Sequence, residues 1–210
     1  MGIGFVIILQ LIAIFILSGI IAIVGSIITY FLSNKEKKKQ KMFLAMISPF
    51  VGLYTLYFSA LFGAIIISVI KNVDIGIGDA GYIPLIDKCE LRFIDSPEYT
   101  YLENNGQEII SEISQIEQID YLVLGKTKND EYFSYDIKTN ELKKYENETD
   151  LIIQNSNVKP KLIKSFDFYV EKRSDVIGFW LIVVGIISIA ISATVLYLLR
   201  KLILGYLNFR

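Results

Sequence analysis

The sequence contains no histidine, a single cysteine at Cys89 and only four prolines in 210 residues. Without imidazole there is no Ser-His-Asp triad, no histidine-ligated zinc and no charge switch near neutral pH. One cysteine cannot close an intramolecular disulfide, so a folded domain here must be held by its own core, and Cys89 reads as a packed thiol. Charge is missing from long stretches as well: residues 3–32, 43–70 and 176–199 contain no Asp, Glu, Lys or Arg. Proton relays, voltage sensors and most coupled transporters depend on charges inside the membrane, so this absence argues against all three.

What is present is segregated. The chain is 53% hydrophobic yet 20% charged, and the two characters occupy different segments. Each uncharged run is long enough to cross a bilayer as a helix, the first reaching roughly 45 Å at 1.5 Å per residue. The reading is a membrane protein with three transmembrane helices and a β-rich, α+β extracytoplasmic domain built as an antiparallel meander. The first helix takes 1–33, a cytoplasmic loop 34–42 and the second helix 43–70. The β-rich domain takes 71–175, the third helix 176–199 and a cytoplasmic tail 200–210.

Orientation comes from lysine. Residues 34–41, Asn-Lys-Glu-Lys-Lys-Lys-Gln-Lys, place five lysines in one short loop, and Arg200, Lys201 and Arg210 lie in the tail. Basic residues concentrate in short cytoplasmic loops. Residues 71–175 carry a net charge of −8, against +7 for the rest of the chain. The expectation is therefore a multi-pass protein of the plasma (inner) membrane, N-terminus outside and C-terminus cytoplasmic, with its acidic domain outside. The first run lacks a basic leader and a small-residue cleavage site before Asn34, so it reads as a retained helix. Val6 stands where a myristoylation pattern wants Ser or Thr. The acidic surplus also argues against a nucleic-acid partner.

Within the spans, Pro49 is placed to kink the second helix. Gln10 is the one strongly polar residue well inside a span. Small residues recur four apart: Ser18, Ala22 and Ser26, then Ala60, Ala64 and Ser68, with Ser188 and Ser192 in the third run. That spacing lets helices approach closely within one chain or as a homo-oligomer. Tyr30, Phe31 and Phe43, and Phe179 with Trp180, mark the interfaces as aromatic anchors.

In the polar domain the period changes to that of strands. Residues 81–86, 90–94, 99–103, 108–113, 119–125, 132–137 and 141–145 read as strands, with turns at 87–89, 95–97, 104–106, 128–130 and 138–140. Asn104-Asn105-Gly106 supplies the positive φ a tight hairpin needs. Residues 147–157 read as a short helix capped by Thr149 or Asp150. From 162 to 170, Phe166, Phe168 and Val170 alternate with polar neighbours as a last strand would. After the third run, 202–207 reads as an amphipathic tail or as the last turns of the helix.

The stretch 132–145, Tyr-Phe-Ser-Tyr-Asp-Ile-Lys-Thr-Asn-Glu-Leu-Lys-Lys-Tyr, resembles a hairpin of exported β-rich domains in uncharacterised bacterial membrane-anchored proteins. The resemblance covers 14 residues. It implies β structure and an envelope setting, and transfers no active site.

Chemistry candidates are few. Asp74, Gly76, Gly78 and Asp79, with Asp87 nearby, hold raw material for calcium but lack the ligand spacing and terminal Glu of a calcium loop, so the segment reads as a linker. Glu98, Glu103, Glu108, Glu112 and Glu117 recur where alternation and turns place solvated side chains. No catalytic, metal-binding or cofactor-binding residue is assigned, and no cofactor is expected. The tyrosines Tyr82, Tyr99, Tyr101, Tyr121, Tyr132, Tyr135 and Tyr145 suit either a sheet core or a recognition face. Tyr99, Tyr101, Tyr132 and Tyr135 are the expected binding surface.

These features imply a non-enzymatic protein whose outer domain binds a protein or small ligand, in an immunity, sensory or accessory role. The expected partners are the lipid bilayer and a protein of the envelope or membrane. The alternative is a subunit of an oligomeric pore or transport complex.

Overall fold

The computed structural model describes residues 2–77, 80–94, 96, 99–155 and 159–205. Several expectations fall outside that set: Gly78 and Asp79 of the linker, Asp95 and Pro97 of a turn, Glu98, Asn157, and the tail from 206 onward. The chain divides into a helical unit, 3–66 with 179–210, and a β-rich unit, 67–178.

Three helices are long and apolar enough to span a membrane: α1 (Ile3–Leu32), α2 (Lys38–Lys71) and α5 (Trp180–Gly205). Their burial is inverted relative to a water-soluble bundle. Large residues such as Ile12, Phe15, Ile23, Phe62 and Ile182 are exposed, whereas Ser18, Ala22, Ser188 and Ser192 are buried. Lipid is as apolar as leucine, so helices associate through small residues and hydroxyls that let backbones approach.

α2 contacts both of the others. On one side the Tyr57 hydroxyl donates to Gln10 Oε1 at 2.8 Å, Tyr54 to the Leu11 carbonyl at 3.1 Å and Ser18 to the Pro49 carbonyl at 3.5 Å. On the other, Ser192 donates to the Gly52 carbonyl at 2.9 Å. A Cβ added at Gly63 would stand 2.7 Å from Val184 Cγ1. Pro49 lies inside α2 without ending it.

The β-rich unit contains two antiparallel sheets. The first runs β1 (Gly81–Pro84), β2 (Cys89–Phe93), β3 (Thr100–Asn104) and β4 (Gln107–Ile110), in sequence order. The second is ordered β8 (Glu141–Tyr145), β7 (Tyr132–Asp136), β6 (Leu122–Thr127), β5 (Ile113–Ile119) and β9 (Ile163–Lys164). Ile83, Leu91, Leu102 and Ile110 from the first sheet share one core with Ile113, Ile116, Val123, Phe133 and Tyr135 from the second. A smaller cluster of Leu124, Tyr145 and Leu151 joins the far side of the second sheet to helix α3 (Glu148–Gln154).

Turn chemistry explains most of the connections. Asn105 (φ 53°) and Gly106 (φ 80°) both take positive φ between β3 and β4, as expected for that hairpin. Asp87, Asp120, Asp130 and Asn140 supply the left-handed residue at four further turns. Between β7 and β8, Asp136 Oδ1 accepts from Lys138 N (2.8 Å) and Thr139 N (3.2 Å).

Four expectations are corrected. The expected antiparallel meander is present in β1–β4 and again in β5–β8, but divided into two sheets, because Glu112 (φ 57°) breaks the run expected at 108–113 and β5 starts at Ile113. The strand expected at 119–125 is instead the end of β5, a turn at Asp120 and the start of β6. α3 is capped by Asn147, whose Oδ1 accepts from Asp150 N at 2.9 Å, rather than by Thr149 or Asp150. The strand expected at 162–170 is β9 followed by helix α4 (Ser165–Ile177). Ser165, Tyr169 and Ile177 are its buried residues, four and eight apart, while Phe166 and Val170 are exposed. The buried face thus follows the helical period, not the alternation. Gly178 (φ 53°, ψ −135°) ends α4, so the third apolar helix starts at Trp180.

Candidate functional site

Two constellations in the β-rich unit concentrate polar chemistry. The first is built on Asp74, the only charged residue in the buried set among the described residues, at 6% exposure. Its carboxylate accepts from Gly76 N–H (2.5 Å) and Tyr82 N–H (3.2 Å), and from the Tyr169 hydroxyl. Arg173 Nε stands 3.5 Å from Asp74 Oδ1, an ion pair without a hydrogen bond, and Nη2 donates to the Asp74 carbonyl at 3.4 Å. A buried carboxylate persists only when paired and hydrogen-bonded, and this one is both.

The local sequence makes the arrangement. Tyr169 and Arg173 are one helical turn apart on α4, so both reach the same point. Gly76 (φ +71°) turns the chain so that its N–H meets Asp74, and any Cβ there would stand 2.5 Å from Arg173 Nη2. Burial, then the adjacent Asp74 carboxylate, pushes the Tyr169 phenol above its ordinary pKa. Asp74 was expected in a linker. It is instead a clamp joining the segment after α2 to β1 and α4. Its carboxylate oxygens accept from three donors, Gly76 N–H, Tyr82 N–H and the Tyr169 hydroxyl, within the β-rich unit.

The second constellation covers one face of the first sheet. In register, Tyr82 pairs with Arg92 and Arg92 with Tyr101; in the neighbouring row Pro84 pairs with Glu90, Glu90 with Glu103, and Glu103 with Glu108. Three glutamates thus stand in file across β2, β3 and β4. Arg92 Nη1 donates to both Glu103 oxygens at 3.1 Å, and its Nε lies 3.0 Å from Glu90 Oε2. Burial works against the Arg92 charge, but Glu103 and Glu90 outweigh it and hold its pKa above the ordinary value. Asn72, just past α2, donates to Glu90 Oε1 at 2.5 Å, and the Ser68 and Tyr82 hydroxyls are 3.2 Å apart.

Compared with family models, curated proteins and solved structures, the chain matches none.

The four tyrosines expected as a binding surface separate. Tyr135 is wholly buried, its hydroxyl bonded to Asn104 (2.6 Å) and to Asn140, so it belongs to the core and not to a surface. Tyr132 lies under Lys126 Nζ at 5.3 Å and Tyr99, 60% exposed, under Lys128 Nζ at 5.2 Å. Tyr101 is half-buried beside the glutamate file. Sequence reasoning missed Arg92 and Glu90, whose strand placement was legible but whose registration against Glu103 was not.

The remaining expected carboxylates do not gather. Glu112 accepts from Asn129 at 3.4 Å and Glu117 from the Lys161 N–H. A cavity of about 270 Å³ lies among Ile116, Glu117, Gln118, Lys161, Ile163, Phe168 and Glu171, below the roughly 300–1,000 Å³ usual for ligand pockets.

Proposed function

We propose that this is a non-enzymatic protein of the plasma membrane, N-terminus outside and C-terminus cytoplasmic, whose β-rich domain binds a protein partner outside. An immunity, sensory or accessory role fits that build. The observation that carries the reading is where the charges fall. Lys37 Nζ donates to the Leu204 carbonyl at 3.2 Å, so the lysine loop and the end of α5, with Arg200 and Lys201, share one end of the helical unit. Basic residues collected there favour the cytoplasmic side, and the domain with net charge −8 belongs to the opposite side.

The binding reading is supported by a face rather than a pocket. Sheet two is packed against α3 on its far side, whereas sheet one carries a row of part-buried glutamates and tyrosines that ends at the exposed Glu108. Tyrosine gives rigid contact area with a polar tip, and partners are recognised by such surfaces. The non-enzymatic reading rests on the missing imidazole and on carboxylates already engaged by Arg92, Asn129 or backbone N–H groups.

Reporter insertions test the topology. Alkaline phosphatase placed at Asn105 is expected to be active and, placed at Lys39, inactive. The reverse pattern sinks the assigned compartment and the partner inferred from it.

A further inference from the structure

Resting only on the three apolar helices lying in a bilayer, we propose that the end of the helical unit where the lysine loop meets α5 holds an anionic phospholipid. Lys38, Lys39, Arg200 and Lys201 take its phosphate, and the apolar residues beside them take its acyl chains.

The cations are brought together by contacts between the helices. Lys37 Nζ donates to the Leu204 carbonyl at 3.2 Å, which ties the start of α2 to the end of α5. Arg200 and Lys201 stand four and three residues before Leu204, about one helical turn away. Lys38 Nζ lies 3.8 Å over the Tyr30 ring, which ties the same point to α1. Seven cations against Glu36 leave a net charge of +6 at this end.

Nothing within the described chain offsets that charge. The first turn of α2 holds Lys38, Lys39 and Lys41 and no acidic residue, although the positive end of a helix dipole favours anions. Lys38, Lys39, Arg200 and Lys201 have no ion pair among the described residues. The neighbours of the cations decide which anion fits. Phe31, Leu32 and Leu202, each within four residues of a cation of this cluster, are 77%, 79% and 59% exposed. A free phosphate or an acidic peptide would answer the charge and leave those side chains uncovered. A phospholipid answers both, because long basic side chains reach the headgroup while their stems and apolar neighbours stay in the acyl layer.

The test uses the full chain purified in a neutral detergent and titrated with phosphatidylglycerol, or with phosphatidylcholine of the same acyl chains, the bound lipid being counted by native mass spectrometry. Detergent removes sidedness, so the direction of insertion does not enter the readout. Phosphatidylglycerol is expected to bind in preference, with an affinity that falls as salt rises. Arg200→Gln and Lys201→Gln should each weaken it about fivefold. Exchanging the pair as Arg200→Lys with Lys201→Arg, which keeps the charge, should retain binding, and Lys71→Gln at the other end of α2 should leave it unchanged. Equal binding of the two lipids, an affinity insensitive to salt, or equal weakening by Lys71→Gln overturns the inference. Displacement by inorganic phosphate or by an octaglutamate peptide at matched ionic strength overturns it in favour of a soluble anion.

Carbonate extraction of cell membranes separates this failure from failure of the membrane reading. A chain that stays with the membrane pellet but shows no lipid preference overturns the inference and leaves the membrane reading standing. A chain released by carbonate overturns both.

Discussion

Asp74 shows at the scale of one residue how a segment of linker composition becomes structural. Removing its carboxylate leaves the Tyr169 hydroxyl and two backbone N–H groups without their acceptor and the Arg173 guanidinium without its counter-charge. Asp74→Ala is expected to destabilise the β-rich unit by about 2–4 kcal/mol, and Tyr169→Phe by about 1–2 kcal/mol. Because both changes strip the same network, the double variant should lose less than the sum, measured by denaturant unfolding. Cys89 gives a second residue-scale expectation. Burial, then the neighbouring Glu90 charge, pushes its thiol up to about 12. A folded pKa raised above the unfolded value, roughly 8.5 for cysteine, contributes stability below that pH that is lost as pH rises toward the folded value. Tyr169 acts in the same direction. Domain Tm should therefore hold up to about pH 8.5 and fall above it, with Cys89→Val shallowing the fall. The folded thiol should also resist iodoacetamide at pH 8 and react after unfolding.

At the scale of elements, the strands hold two glycines under phenylalanine rings. Gly125 pairs with Phe133 and Gly81 with Phe93, and an added Cβ would stand 2.4 Å and 2.3 Å from the respective ring carbons. The ring covers the gap that glycine leaves in the pleat. At Gly125 the Gln115 carbonyl also stands 2.9 Å from that Cβ, so backbone as well as side chain must move. Gly125→Ala is expected to lower the stability of the β-rich unit by about 1–3 kcal/mol in thermal unfolding, through crowding alone. Most elements were legible from the residues: alternation for β2, β3, β7 and β8, Asn-Gly for the β3–β4 turn, and length and apolarity for the three long helices. The errors have physical causes. Glu112 adopts positive φ without being Gly, Asn or Asp, so nothing in the sequence marks the break between sheets. Alternation predicts a strand for α4, whereas the contacts that decide it are the four- and eight-residue spacings of Ser165, Tyr169 and Ile177 into the core, with Arg173, between the last two, placed on Asp74.

For the whole molecule, the proposed orientation rests on five lysines in one loop. Exchanging Lys35, Lys37, Lys38, Lys39 and Lys41 for Gln removes most of the basic charge from that end of the helical unit. The fraction of chains with the Asn105 reporter active should then drop, because charge in short loops sets insertion direction. The helices themselves should remain membrane-inserted, since apolarity and not charge drives partitioning. The sequence alone determined which segments are apolar enough to cross a bilayer, the sign of charge on each segment, and the presence of a β-rich polar domain with a single cysteine. Those are properties of composition and local period. Only the tertiary structure decided that Asp74 meets α4, that Tyr135 is core while Tyr101 is half-buried, and that Glu90, Glu103 and Glu108 stand in file. Each of these depends on strand register or on contact between residues far apart in the chain, which local sequence does not encode.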